Sequence, residues 1–312
     1  MVEKSRLPLV SIVVPFFNPG AYFDELLDSL ASQDYKNLEV VLVDDGSDEL
    51  YSFVAKRFVD AGINRQVIRK DNGGVASARQ VGVDAANGEY IIHADADDIL
   101  PRSAISKLVH AALAMDSDIV IGGYTVLYRG RRKYIGVDSS FLASEFLEGL
   151  LLGRYHASLC NKLIRRSCYK GVRFESGINY MEDKLLLAKM LRGGNLRLGC
   201  LDESVYVYRL SSGSATMNMT PQTIEQSVAV VSKIVDLYAN VLPKRVLDFL
   251  LARQRAFAIY QFAKNGINIF EISDLSLIGE RKISLTYRVA IILSAFRSVF
   301  LIKWLHSIRR LL

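Results

Sequence analysis

Residues 8–46 read PLVSIVVPFFNPGAYFDELLDSLASQDYKNLEVVLVDDG, and the fold turns on this stretch. LVSIVVPFF is a short, continuously apolar run of the kind that builds a strand covered on both faces. AYFDELLDSLASQ then spaces its apolar residues at helical intervals, and LEVVLVDD returns to the buried-strand pattern. The alternation continues with a helix near 48–60, a strand RQVIRK, a helix VASARQVGVDAA, a strand EYIIHADADD, a helix near 101–115 and a strand SDIVIGGYTVLY. Strands alternating with helices need right-handed crossovers, which predicts a Rossmann-like, mainly parallel α/β sheet over the first 125 or so residues.

Beyond it, Arg129-Gly130-Arg131-Arg132 reads as a turn-like basic loop, and the alternation is less regular through residue 215. From about residue 220 the pattern is helical, with a break at Pro243 and a stop at Gly266. Of the 312 residues, 50% are hydrophobic and 23% charged, enough apolar surface to offset chain entropy and exclude global disorder. Three cysteines, Cys160, Cys168 and Cys200, have neither disulfide-framework nor zinc-type spacing, which fits a reducing cytoplasmic setting. The four histidines show no paired ligand spacing, and His93 reads as a core residue. No signal peptide is expected, and Arg288, Arg297 and Lys303 interrupt the most apolar tail segment, which disfavours a membrane span.

The net charge of +6 is unevenly spread: residues 241–312 hold 12 Lys/Arg against 4 Asp/Glu, so the basic character belongs to the C-terminal quarter. On a helical wheel, Phe300, Leu301, Trp304, Leu305, Ile308, Leu311 and Leu312 share one face and Lys303, His306, Arg309 and Arg310 the other. That is the pattern of an interfacial helix on anionic lipid, or of a helix packed on the catalytic domain or on a partner subunit of a homo-oligomer. No aromatic–cationic motif of a nucleic-acid binder is visible, and none is expected as a partner.

In an open parallel sheet ligands bind outside the carboxyl ends of the strands. Three such ends carry Pro15-Phe16-Phe17-Asn18, Asp44-Asp45-Gly46-Ser47-Asp48 and Asp95-Ala96-Asp97-Asp98. That much negative charge in one crevice needs a cation or hydrogen-bond donors. Asp-Ala-Asp at a strand end suits a hard divalent ion that keeps open positions for phosphate oxygens, although the same residues also suit an acidic helix N-terminus. Asn72-Gly73-Gly74 lets the backbone approach a ligand, with Arg79 on the helix that follows. There is no GxGxxG and no P-loop lysine, so neither a dinucleotide fold nor an ATPase is indicated.

Taken together, PFFN, VDDGSxD, NGGVASAR, HADADD and, downstream, Asn179-Tyr180-Met181-Glu182-Asp183 and Tyr206-Val207-Tyr208-Arg209 resemble the family 2 glycosyltransferases, inverting enzymes of the GT-A fold and of bacterial surface-polysaccharide type. The resemblance implies a catalytic domain over residues 1–217, with a donor half 1–128 and an acceptor half 129–217, followed by a helical region 218–312. It implies that Pro15 and Phe17, with Asn18, border the base of a nucleotide-diphosphate sugar and that Asp45 bonds a uracil N–H. Arg79 would hold the diphosphate, Asp95 and Ala96 the ribose or sugar, and Asp97 and Asp98 a Mn2+ or Mg2+ ion. Asp183 would be the general base toward a hydroxyl of a glycan or lipid-linked glycan acceptor, with Glu182 the alternative. An enzyme meeting such an acceptor would be peripheral at the inner face of the membrane, touching anionic lipid through residues 281–312. Two departures stand out: Met181 where glycine often precedes the acidic pair, and Gln80 where asparagine often follows the arginine. Asn161-Lys162-Leu163 resembles a motif near the acceptor side, but a single lysine reads as a surface residue. The rivals are a degenerate nucleotide-sugar-binding or membrane-scaffold protein and a sugar nucleotidyltransferase, whose basic glycine-rich loop PFFNPG lacks.

Overall fold

The computed structural model describes residues 7–51, 54–137, 143–210 and 219–265, positions 267, 269 and 274, and residues 283–295. Two compact units divide the chain, Met1–Ser211 and Ser212–Leu312. In the first, the elements run β1 (Val10–Phe16), α1 (Phe23–Ala31), β2 (Leu38–Asp44), α2 (Val54–Asp60), β3 (Asn64–Arg69), α3 (Val75–Ala85), β4 (Tyr90–His93) and α4 (Ala104–Ala114). They continue with β5 (Ile119–Tyr128), β6 (Arg131–Ile135), α5 (Ala143–Leu151), β7 (Lys162–Arg165), α6 (Glu182–Leu191) and β8 (Leu198–Arg209).

All eight strands form one mixed sheet in the order β3-β2-β1-β4-β7-β5-β6, with β8 on the other side of β5. β3, β2, β1 and β4 are parallel, as the alternating pattern predicts. The continuous apolar run of β1 has a direct cause: Ile12, Val14 and Phe16 feed one core with Leu26 and Leu30 of α1 and Leu108 of α4. Val13 feeds a second core on the opposite face, with Ala78 of α3 and Leu186 and Leu187 of α6. With no solvent face, every position is apolar or satisfied, and each fully buried aliphatic side chain contributes about 1.5–3 kcal/mol. Ser11, the polar exception, is buried at the amino end of β1 and donates to Glu39 of β2 at 2.6 Å.

Two features depart from the sequence reading. The basic stretch is a hairpin, not a loop: Arg129 (φ 48°) and Gly130 (φ 77°) form a two-residue turn, and Arg131 and Arg132 already pair with Leu127 and Tyr128 in the β5–β6 ladder. The four-residue β7 inserts antiparallel between β4 and β5. Its direction brings the residues just before it, His156–Asn161, to the same sheet edge as the carboxyl ends of β4 and β1.

The second unit contains α7 (Pro221–Tyr238), α8 (Lys244–Lys264) and α9 (Leu285–Ala295). α7 begins at a Thr220 capping box with Pro221 in the first turn, and α8 begins after Pro243, the break read from the sequence. Gln254 of α8 donates to Ser227 of α7 at 2.7 Å, and Ala256, Ile259, Ile283 and Ile291 form a small core with α9. The expected stop at Gly266 and the amphipathic segment 300–312 lie outside the described residues. Among the described residues no helix is long and apolar enough to cross a membrane.

Candidate active site

Because β2, β1 and β4 are neighbours, their carboxyl ends place Asp44-Asp45, Phe17-Asn18 and Asp95 side by side. Pro15 is buried within β1, opposite Val43, whereas Phe17 just past the strand is 48% exposed. Its ring is a large apolar face open to a ligand. Asn18 closes the adjoining loop: its backbone N–H donates to Ser47 at 2.9 Å, and its amide exchanges 2.9 Å bonds with Asp48.

Asp45 is buried and already well partnered. Oδ1 accepts from Lys70 Nζ at 2.6 Å and from the backbone N–H of Gly73 at 3.0 Å, and Oδ2 accepts from Gly74 N–H at 2.7 Å. The glycine pair therefore wraps its own carboxylate, with one Oδ2 lone pair left for a ligand N–H. Gly74 needs to be glycine twice over: its φ is +84°, and a Cβ would collide with the Asn179 side chain. Asn179 in turn accepts from Ala76 N–H at 3.3 Å, which ties the first turn of α3 to the segment entering α6.

Arg79 joins the remaining carboxylates. The resemblance assigns it to the diphosphate, but its guanidinium is buried: one nitrogen donates to Asp95 Oδ1 at 2.7 Å and the other to Glu182 Oε1. Its fork is filled by two anions, so it gathers the site and does not face open solvent. The Asp95 carboxylate, a third exposed, resists ionisation through burial but is held below its usual range by Arg79. Glu182, almost fully buried, is pushed up by burial despite the same guanidinium. Cys160 Sγ also donates to Asp95, at 3.4 Å. Asp183 follows Glu182 in the first turn of α6, is half-buried, and accepts from Lys184 N–H at 2.6 Å. Met181, the residue before the pair, has φ +60°, a left-handed conformation that explains why glycine suits that position.

Asp97 and Asp98 differ sharply. Asp98 is fully buried; Oδ1 accepts from Arg209 N–H at 2.6 Å and Oδ2 from Tyr206 Oη at 2.7 Å. Tyr206 Oη accepts Asp95 N–H at 3.0 Å, so Asp98 braces the strand end from beneath. The expectation that it shares a metal with Asp97 does not fit this geometry, because both its oxygens face inward. Asp97 is half-buried beside Ala96, and burial and then the Asp95 charge push its carboxyl above the usual range. Among the described residues no three His, Cys, Asp or Glu side chains form a metal cage. A lone strand-end carboxylate fits an ion that arrives with substrate phosphates rather than one held by an all-protein shell.

Lys70, Tyr206, Arg209 and Lys162 carry the site and were not singled out as binding residues. Lys70 lies immediately before the Asn-Gly-Gly segment, and its pairing with Asp45 depends on the β2–β3 register. Arg209 donates through Nε to the Asp97 carbonyl at 2.9 Å, pairs with Glu25 and lies 3.9 Å over the Tyr22 ring. Lys162 is fully buried, contrary to the expectation of a surface lysine. His93 is a core residue, bonded to Tyr169 Oη at 3.1 Å and driven by burial to a pKa of about 3, so its ring is neutral.

A parallel half-sheet with an acidic edge, closed by an Asp95–Arg79–Glu182 bridge from the following elements, is the architecture of an α/β domain that binds its ligand at the carboxyl ends of its strands. The chain belongs to glycosyl transferase family 2, whose model matches residues 11–181, and carries that family's glycosyltransferase domain. It is 28% identical over 219 residues to the glycosyltransferase GlyG of Streptococcus pneumoniae, covering 66% of this chain and 72% of GlyG. It is 30% identical over 219 residues to the uncharacterized glycosyltransferase EpsJ of Bacillus subtilis, covering 67% of this chain and 63% of EpsJ. The fold matches the crystal structure of S. aureus TarS residues 1–349 in complex with UDP-GlcNAc, with a TM-score of 0.65 and 20% identity over 96% of this chain and 91% of that one. The mixed sheet flanked by helices is therefore a GT-A fold.

Proposed function

We propose that the chain is a metal-dependent, inverting glycosyltransferase that moves a sugar from a UDP-linked donor to a hydroxyl of a lipid-linked or growing surface glycan. The observation that carries this reading is the Arg79 bridge, which holds Asp95 at the end of β4 and Glu182 at the start of α6 in one buried cluster. The donor side and the acidic pair are thereby parts of one site. In this reading the exposed Phe17 ring stacks on the base, beside Pro15, and Asp45 uses its remaining lone pair for a pyrimidine N–H. Asp97 would hold Mn2+ or Mg2+, which would supply positive charge to offset the leaving diphosphate.

Asp183 takes the proton of the acceptor hydroxyl as that oxygen attacks the anomeric carbon from the face opposite the leaving group, a single displacement that inverts the centre. Glu182 is less suited to that task, since Arg79 already occupies its carboxylate. Arg79 and Asp98 act as positioning residues. The glycosyltransferase relatives GlyG and EpsJ support the transferase class, and the fold likeness to TarS, whose crystal structure was obtained in complex with UDP-GlcNAc, supports a UDP-linked donor. A location at the inner face of the membrane, with residues 281–312 on anionic lipid, belongs to the same reading.

Thermal-shift screening of UDP-, GDP- and dTDP-sugars with and without Mn2+ tests it. A ligand at about 100 times its Kd adds about 2.7 kcal/mol, and the UDP-sugar shift is expected to depend on metal. Asp97→Asn should remove the metal-dependent part, and Asp183→Asn should keep the UDP shift while transfer falls by roughly 10²–10⁴. No metal-dependent shift with any donor would return the chain to a scaffold role.

A further inference from the structure

The fully buried Lys162 needs an explanation that the donor site does not supply. Its ammonium donates to the carbonyls of His156 at 2.9 Å and Ser158 at 2.6 Å and to Asn161 Oδ1 at 2.9 Å. Asn161 Nδ2 donates in turn to the Gly122 carbonyl of β5 at 2.6 Å. A buried lysine with three acceptors is costly to install and fixes geometry once installed. What it fixes is the segment 156–161, pinned against β5 two residues before Tyr124.

The residue at the open end of that segment is His156, which is exposed. Its ring centroid lies 5.1 Å from that of Tyr124 on β5 and 6.3 Å from that of Tyr208 on β8, tilted 37° and 54° to them. Ser158 N–H donates to His156 Nδ1 at 3.4 Å, which orients the imidazole. At the other end of the same segment Cys160 Sγ donates to Asp95 Oδ2 at 3.4 Å. Three aromatic rings are therefore gathered around a segment that reaches the Asp95 carboxylate.

We propose that His156, with Tyr124 and Tyr208, forms an aromatic platform for the pyranose ring of the transferred sugar, and that Lys162 is the positioning residue that holds it in place. The proposal rests on the reading of the site given above. In that reading the sugar carried by the diphosphate lies beside Asp95, and the segment that bears His156 ends on that carboxylate. A pyranose presents a flat face of C–H groups, which the electron-rich face of an aromatic ring accepts. A pocket of this kind combines apolar walls with a few polar groups that set orientation.

Titration calorimetry with UDP and with UDP-glucose, UDP-galactose and UDP-GlcNAc, in Mn2+, separates the outcomes. His156→Ala is expected to weaken the tightest UDP-sugar roughly tenfold while UDP changes by less than about twofold, and His156→Phe, which keeps a ring, should stay within about threefold of the parent. Lys162→Met, checked for folding by its melting temperature, should reproduce the selective loss. A purely structural lysine would weaken UDP and UDP-sugar together. Equal loss of both ligands in His156→Ala, or no loss of either, overturns the platform even if UDP binding is intact. Failure of the parent protein to bind UDP or any UDP-sugar overturns the site reading, and the platform with it.

Discussion

Replacing Arg79 by methionine removes the cation that the buried Glu182 and the part-exposed Asp95 carboxylates share. The Glu182 arm dominates, since Glu182 and Arg79 are only 9% and 6% exposed, whereas the Asp95 side chain is 32% exposed and recruits water. Breaking one partner of a buried pair costs about 3–5 kcal/mol, because the remaining charge is left uncompensated. For a unit of this size, about 4 kcal/mol lowers the melting temperature by about 10 °C. The loss also has a pH signature. Without Arg79, Asp95 loses the charge that holds it below its usual range and Glu182, already pushed up to about 6 by burial, rises further, so the variant's folded state binds more protons than the parent's and the stability difference grows as pH rises. Urea denaturation of Arg79→Met and its parent at about pH 5 and about pH 8 should show the larger difference at the higher pH. Arg79→Lys, which keeps one charge but not the fork, should recover part of it. A loss below about 1 kcal/mol at both pH values, or one that shrinks as pH rises, would refute the bridge as the element that gathers the site.

At the opposite edge of the sheet, Glu39 accepts from Ser11 Oγ and from Asn87 N–H, each at 2.6 Å; burial raises its carboxyl, but these donors outweigh burial and hold it below the usual range. Its contribution is therefore complete above the ordinary glutamate pKa and is lost as pH falls through the lower folded value. Glu39→Gln should cost about 1.5–3 kcal/mol at neutral pH, and chemical denaturation should show the difference closing in acid. Gly74→Ala forces a side chain onto a φ of +84° and into Asn179, so a stability loss of about 1–3 kcal/mol is expected, together with weaker UDP binding by calorimetry. Wild-type UDP affinity in that variant would show that the glycine segment does not shape the donor site.

How far the sequence reached is clear from particular residues. The β–α repeats, the strand ends bearing Asp45 and Asp95, and the break at Pro243 were all legible because they are local: each depends on hydrophobic period, a Pro or a Gly within a few residues. β7 was not legible. Lys162–Arg165 is only four residues long and carries cations at both ends, so no periodicity develops, and its antiparallel insertion is a fact about its neighbours. The same holds for Asp97 and Asp98, which are adjacent and chemically identical; only the approach of Tyr206 and Arg209 from β8, more than a hundred residues away in sequence, turns one inward and leaves the other available.

The sequence by itself determined that this chain builds a doubly covered α/β sheet and that its acidic and glycine-rich segments sit where such a sheet binds ligands. Hydrophobic alternation and turn chemistry suffice for that. Only the tertiary structure decided what each charge is paired with: Arg79 between Asp95 and Glu182, Asp45 inside the glycine loop, and Lys162 under His156. The reason is that burying a charge is costly unless a partner is present, and the partner comes from whichever strand or helix the topology lays alongside, a choice that no stretch of sequence contains.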